Sequence, residues 1–252
     1  AGVMALHASV DLLNDFWDFK RGIDTKTKRT KMSGGTGFLP EGLLKPSTVY
    51  RAGIAFLILG TIVGGYFVFT DGIIIAIILG FAILSIYFYS TKIVDSGLGE
   101  FFVAVKGSMI VIGTLFIQSG QITFESILAG IIVGSLSSLV LFIASFPDHD
   151  ADKSKGRKTL VIVIGKKNAA NAFWIFPIIS YVSILVGVYF ELFPIFSLIS
   201  LFSIPLMIKS GLGLKRNFDS VDDLVPFMSS TLMFSRITGV LFVASFLIPL
   251  TL

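Results

Sequence analysis

Two acidic clusters have the residue types and spacing to hold a polyanion through metal ions. The first is Asn14-Asp15-Phe16-Trp17-Asp18-Phe19-Lys20-Arg21-Gly22-Ile23-Asp24. The second is Asp148-His149-Asp150-Ala151-Asp152-Lys153-Ser154-Lys155-Gly156-Arg157-Lys158. On a helix, residues four apart share a face. Asn14 and Asp18 form one such pair and Asp148 and Asp152 a second, and His7 and Asp11 extend the first stripe backwards. Mg²⁺ prefers oxygen ligands and usually takes one or two carboxylates plus substrate phosphates. The Lys and Arg in each cluster suit the remaining phosphate charge. A single cluster of this kind is as readily a solvated helix end; two of matched spacing favour a shared metal–phosphate site. The chain has no cysteine and only two histidines, His7 and His149, which rules out disulfides and thiol nucleophiles and disfavours zinc. No Ser/Cys–His arrangement suggests a covalent nucleophile.

The elements that must position these clusters are membrane helices. Of the 252 residues, 54% are hydrophobic and 14% charged, against ~25% charged in soluble domains. Apolar blocks run over 49–69, 72–89, 101–117, 127–146, 169–190, 193–208 and 227–250. Each is close to the ~20 residues that cross a bilayer core. Backbone groups in lipid must be satisfied within the segment, so these are expected to be helices, kinked where Pro177 and Pro205 fall within them. The opening apolar stretch is too short to span, has no basic leader, and is expected to be the back half of a helix.

Charge sets the orientation. The segments 14–48, 90–99, 147–168 and 209–226 carry seven, one, six and three Lys or Arg, whereas 70–71, 118–123 and 191–192 carry none. Basic short loops stay in the cytoplasm, so both acidic clusters are expected on the cytoplasmic side of a cell membrane. This distribution explains the basic character of the chain better than nucleic acid binding does. The expected organisation is one transmembrane domain over 1–252 with cytoplasmic cap loops 14–48 and 147–168. Residues 25–37, rich in Lys, Thr and Gly, are expected to form a mobile lid. Lys106 and Arg236 lie inside apolar blocks, where ionisable groups are functional candidates or snorkel to the interface.

Asn-Asp-x-x-Asp-(x)₅-Asp after one helix, and Asp-x-x-x-Asp-x-x-x-Gly-(x)₂-Thr-Leu after a later one, resemble the two signature motifs of the UbiA superfamily of intramembrane prenyltransferases. The resemblance implies an all-α, polytopic transmembrane bundle of nine spans, with the first and part of the second absent from this chain. It implies two Mg²⁺ ions bridging a polyprenyl diphosphate to Asn14, Asp18, Asp148 and Asp152, with Asp15 and Asp24 in support. Asp18, Asp148 and Asp152 are the expected catalytic residues. Tyr89-Ser90-Thr91-Lys92 is similar to the family's Tyr-plus-Lys diphosphate contact. Arg21, Tyr89, Ser90, Lys92 and Lys158 are therefore the expected substrate-binding residues, and Arg157 flanks the second motif. Asp18 to Thr25, Gly97-Leu98-Gly99-Glu100 and Phe146-Pro147-Asp148 are similar to the menaquinone branch.

The chemistry implied is ionisation of an allylic diphosphate, expected to be geranylgeranyl diphosphate, followed by attack of an electron-rich aromatic carbon. Developing charge is stabilised electrostatically. Tyr87, Tyr89, Phe101 and Phe102 are candidate walls that shield the cation. Glu100, Asp150 or a water would take the acceptor proton, and Lys106 or Arg236 would face an acceptor carboxylate. The expected acceptor is 1,4-dihydroxy-2-naphthoate. Two alternatives stand beside it: transfer to a glycerol-phosphate ether lipid, and, from another class, a membrane transporter.

Overall fold

In the computed structural model, residues 1–25, 29–30 and 33–248 are described, and among them no strand occurs. Residues 26–28 and 31–32 of the expected lid lie outside the described residues. Among the described residues, seven helices are long and apolar enough to cross a membrane, and they coincide with the seven apolar blocks. They follow α1 (Gly2–Arg21), which contains the first acidic cluster up to its helix end. In chain order they are α2 (Pro46–Asp71), α3 (Ile73–Phe88) with a π-helical turn at Tyr89–Ile93, α4 (Gly99–Ser119) and α5 (Phe124–Ser154). After a short α6 (Leu160–Ile164) come α7 (Lys166–Ala172) with α8 (Ile175–Tyr189), a 3₁₀ stretch (Ile195–Ser203) with α9 (Ile204–Asn217), and α10 (Val221–Ser245).

Two boundaries differ from the sequence expectation. The segment 147–168 was expected to be a loop, but α5 continues through Pro147 to Ser154, and α6 follows. Pro147 has no N–H to offer Ile143, yet a single missing bond does not end a helix whose following turn is held by its own ladder. The block 193–208 was expected to be one α-helix, but its first nine described helical residues are 3₁₀. Ser197, Ser200 and Ser203 recur every third residue and are all buried, matching the three residues per turn of that helix. Pro205 stands at the junction with α9, and Pro177 in the first turn of α8, just after the break at Phe173 and Trp174.

The chain divides into two compact units, Ala1–Phe102 with Pro147–Val163, and Val103–Phe146 with Ile164–Leu252. In the first, α1, α2 and α3 pack around Leu13, Leu57 and Ile86, with Leu6, Val10, Tyr50, Ile54 and Ile83 against them. Gly53 and Gly60 of α2 leave room for Leu13 and Leu6 of α1. Small residues at such contacts let membrane helices approach closely, where lipid offers no hydrophobic drive to associate. In the second unit, α5 supplies the fully buried Ile132, Leu139, Phe142 and Ile143. There the Ser108 hydroxyl of α4 donates to the Gly130 carbonyl of α5 at 2.9 Å. A buried hydroxyl chain links Tyr181, Ser203 and Thr238 at 2.8 and 2.7 Å.

Candidate active site

Both acidic clusters end their helices by the same device, and every residue of the site lies in the first unit. In α1, Gly22 takes the left-handed conformation (φ 69°) and the Ile23 N–H bonds to the Asp18 carbonyl at 2.9 Å. In α5's extension, Gly156 does the same (φ 79°), and the Arg157 N–H bonds to the Asp152 carbonyl at 3.0 Å. Glycine adopts this conformation without a Cβ penalty and so terminates helices. Each motif therefore reads as a polar residue, an Asp four later, and a Gly four later again. The Asn/Asp pairs project from the last helical turns, and the chain then folds back over them.

That fold-back places Arg157 between the clusters. Its guanidinium donates to Asp152 Oδ1 at 3.2 Å and to Asp18 Oδ1, 139 residues away in sequence. All three are buried, with relative exposures of 2% for Asp152, 6% for Asp18 and 7% for Arg157. The two motifs expected to share one site are thus joined directly. Asn14 completes the α1 side: its amide donates to Asp18 Oδ2 at 3.2 Å, and its Oδ1 accepts from the Ser90 hydroxyl at 2.7 Å. Ser90 is buried in the π-helical turn after α3, a local widening frequent at functional sites.

Of the expected phosphate contacts, Ser90 and Tyr89 are in this cluster. The charges of Glu100, Arg157, Asp18 and Asp152 all act on the Tyr89 hydroxyl. Arg21 is engaged elsewhere in the same unit. It donates to Asp95 at 3.0 Å, to the Ser90 carbonyl at 2.9 Å and to the Lys155 carbonyl at 3.4 Å, so it struts the three segments that carry the site. Lys92 is exposed, with its ammonium 5.1 Å from the Phe88 ring centre. Lys158 is exposed, while its neighbour Arg157 is the buried cation. Asp150 is exposed and pairs with His149 at 2.7 Å, whereas Glu100 is buried at the start of α4. Phe102 stacks on Phe81 at 5.8 Å, and Phe101 and Tyr87 are exposed. Lys106 and Arg236 belong to the second unit.

Sequence reasoning passed over Arg157 as a contact and did not consider Asp95. The signal for Arg157 was available. A planar guanidinium suits a buried fork between two carboxylates better than a lysine ammonium does, and the preceding glycine turns the chain back toward Asp152.

The electrostatics are those of crowded, dehydrated carboxylates. Burial pushes Asp18 up to about 6, against the opposing pull of Arg157. Burial, then the charges of Asp18 and Asp15, push Asp24 up to about 7. For Arg157, burial works against the charge, but Asp18 and Asp152 outweigh it and hold the guanidinium protonated. Asp15 accepts from the Thr36 hydroxyl at 2.6 Å, and Gly35 brings its backbone close to both Asp15 and Asp24.

These residues fit a magnesium–phosphate site. The donors are all oxygens, and Asp148 Oδ1 is buried without a hydrogen-bond partner. A buried, unsatisfied carboxylate oxygen is costly and calls for a partner, here a cation. Among the described residues, no group of three or more Asp, Glu or His side chains converges closely enough to hold a metal by itself.

Likenesses to known proteins follow the same pattern. The chain is 30% identical over 168 residues to a Bacillus subtilis (strain 168) protein named 1,4-dihydroxy-2-naphthoate octaprenyltransferase, covering 65% of this chain and 53% of that protein. It is 27% identical over 243 residues to the Escherichia coli (strain K12) protein of the same name, covering 92% of this chain and 77% of the relative. It is 27% identical over 173 residues to UbiA prenyltransferase domain-containing protein 1 of Gallus gallus, covering 65% of this chain and 49% of that one. The chain thus spans about half the length of two of these curated relatives. No solved structure matches it. The profile of the UbiA prenyltransferase family matches residues 1–247, and with both acidic motifs joined at one site, the chain belongs to that family.

Proposed function

We propose that the protein transfers a polyprenyl group from a polyprenyl diphosphate to an aromatic acceptor within the membrane, the acceptor being 1,4-dihydroxy-2-naphthoate. The observation that carries this reading is the buried bridge from Asp18 through Arg157 to Asp152, beside the unpartnered Asp148 oxygen. It puts the acidic groups of both motifs, and a cation suited to phosphate, in one place. The two relatives named for naphthoate prenylation support the choice of acceptor.

Asn14, Asp18, Asp148 and Asp152 hold two Mg²⁺ ions in this reading, and Asp15 and Asp24 support them. When bound, magnesium neutralises the diphosphate and stabilises it as a leaving group. The protein's own part is to orient the diphosphate and exclude water from the allylic cation. Ser90 fixes Asn14, Tyr89 brings its hydroxyl within reach of the charges of the same cluster, and Arg157 supplies positive charge. The bond from the allylic carbon to the diphosphate oxygen breaks, a carbon–carbon bond forms to the ring, and the ring gives up a proton; loss of the acceptor carboxylate as CO2, with a proton taken up at that carbon, then gives the prenylated naphthoquinol. Between the two carboxylates considered for that proton, Glu100 is buried at the site's edge and Asp150 is exposed, which favours Glu100. The alternation of basic and uncharged loops supports a site facing the cytoplasm of a multi-pass cell-membrane protein.

The test offers geranylgeranyl diphosphate together with dihydroxynaphthoate, 4-hydroxybenzoate, homogentisate or a glycerol-phosphate ether, in parallel. Prenylated naphthoquinol as the dominant product is the expected result. Turnover with the ether lipid alone would leave the metal chemistry standing and overturn the acceptor.

A further inference from the structure

We infer that Arg157 is a resident counter-cation that makes metal binding conditional on the diphosphate. This rests on the proposed magnesium–diphosphate site and adds an order of binding to it.

The argument starts from which atoms are satisfied. Arg157 spends its two terminal nitrogens on Asp18 and Asp152, one from each motif. Its Nε is buried and has no hydrogen-bond partner. Asp148 Oδ1, which feels the Arg157 charge, is likewise buried and unpartnered. Among the described residues, the site therefore offers a spare donor on the Arg157 cation and a spare acceptor on Asp148. A water satisfies either weakly, whereas a metal diphosphate satisfies both: its oxygens accept from the guanidinium and its cation meets the carboxylate.

Charge decides the sequence of events. Asp18 and Asp152 are the carboxylates expected to bind metal, and Arg157 already pairs with both and offsets one of their two negative charges. A divalent ion arriving alone meets a protonated guanidinium at its own ligands, in a buried setting where such repulsion is poorly screened. Displacing Arg157 would leave it buried without a counter-ion, a costly state. A diphosphate removes both obstacles. Arg157 exchanges two carboxylates for phosphate oxygens, the carboxylates are released to the metal, and no buried charge is left unpaired. Metal and diphosphate then bind with positive coupling, and the coupling is reciprocal. Arg157 acts here as a positioning residue whose first partners are the metal ligands themselves.

The exchange is measured by Mn²⁺ binding, followed by the electron paramagnetic resonance of the free ion, with inorganic pyrophosphate as the diphosphate probe and the purified full chain in nanodiscs. For the wild type, Mn²⁺ alone should bind at least tenfold more weakly than Mn²⁺ with pyrophosphate. Arg157→Met should tighten Mn²⁺ binding without pyrophosphate by tenfold or more and reduce the coupling to about twofold. Arg157→Lys, which keeps the charge, should retain most of the coupling. Wild-type coupling below twofold overturns the inference without recourse to any variant, so it stays testable if Arg157→Met fails to fold. So does a folded Arg157→Met protein whose affinity for Mn²⁺ alone is unchanged or weaker. If Mn²⁺ binds the wild type under neither condition, it is the metal site that fails, a result separate from the loss of coupling.

Discussion

Dehydrated carboxylates held apart from their metal make the metal-free protein sensitive to pH in a direction opposite to ordinary acid denaturation. Asp18 is raised from 3.8 to about 6 and Asp24 from 3.8 to about 7. Between pH 3.8 and those values, the folded chain holds protons that the unfolded chain has released. Stability is therefore fully present below about pH 4 and falls as pH rises through 6 to 7. At 1.36 kcal/mol per pH unit, Asp18 alone costs about 3 kcal/mol by neutral pH and Asp24 about 4. The two do not add, because the Asp18 charge is itself a cause of the Asp24 rise. The expected loss from pH 4 to neutrality is thus about 3–4 kcal/mol, of which about 3 kcal/mol falls above pH 5, or roughly 5–10 °C in unfolding temperature for a chain of this size. Thermal unfolding in detergent with EDTA should give a higher midpoint at pH 5 than at pH 8. Magnesium with pyrophosphate should restore most of the difference at pH 8, since a bound cation removes the repulsion. Asp24→Asn, a neutral isostere, should raise the metal-free midpoint at pH 8 and flatten the slope. A midpoint that is level or rises from pH 5 to pH 8 without metal would refute the reasoning.

Three further outcomes are expected. Asp18→Ala and Asp148→Ala should each lower turnover by at least ~10²-fold at saturating Mg²⁺ while the protein remains folded in the membrane, because each removes charge from an electrostatic centre whose single donors are worth that much; near-normal kcat for either would show the ligand assignment wrong. Glu41→Cys and Lys153→Cys, introduced separately into this cysteine-free chain, should be labelled by an impermeant maleimide only from the cytoplasmic face, and labelling of either from outside would break the shared-face topology. Gly134→Ala should destabilise the second unit by about 1–3 kcal/mol, because its new Cβ would overlap the Ala104 carbonyl and the Ser108 hydroxyl; an unchanged unfolding midpoint would mean that the α4–α5 contact yields.

The spans were legible because lipid leaves a polypeptide few options. A run of about 20 apolar residues must satisfy its own backbone, and a helix is the way a single segment does so. The same constraint is silent where the chain leaves the apolar core. Charged residues after Phe146 suggested a loop, yet α5 keeps its helix to Ser154. That extension is what allows Asp148 and Asp152 to share a face. Nor does hydropathy distinguish an α-helix from a 3₁₀ helix. The distinction at Ile195–Ser203 lay in the buried serines at every third position, a period that an apolar block conceals because leucine, isoleucine and phenylalanine fill every position between.

The candidate site shows a sharper limit. Motif spacing identified Asn14, Asp18, Asp148 and Asp152, because a four-residue repeat determines which side chains share a helix face. It carried no such information about the cations, which follow the helix ends. Arg157 and Lys158 are adjacent, equally charged and equally close to the second motif in sequence. Which of them turns inward is decided by one backbone conformation, the left-handed Gly156. That turn returns the Arg157 N–H to the carbonyl of Asp152 and, with it, the guanidinium to the carboxylate of the same residue. Lys158, one residue later, faces outward and is exposed. Asp18 with Gly22 ends α1 in the same way, and there the returning residue is the apolar, buried Ile23. Of two matched turns, only one therefore delivers a cation, and that single guanidinium serves carboxylates from both motifs. A site built with two returning cations would have neutralised its own metal ligands. With one, the cluster keeps the net negative charge that a divalent ion requires.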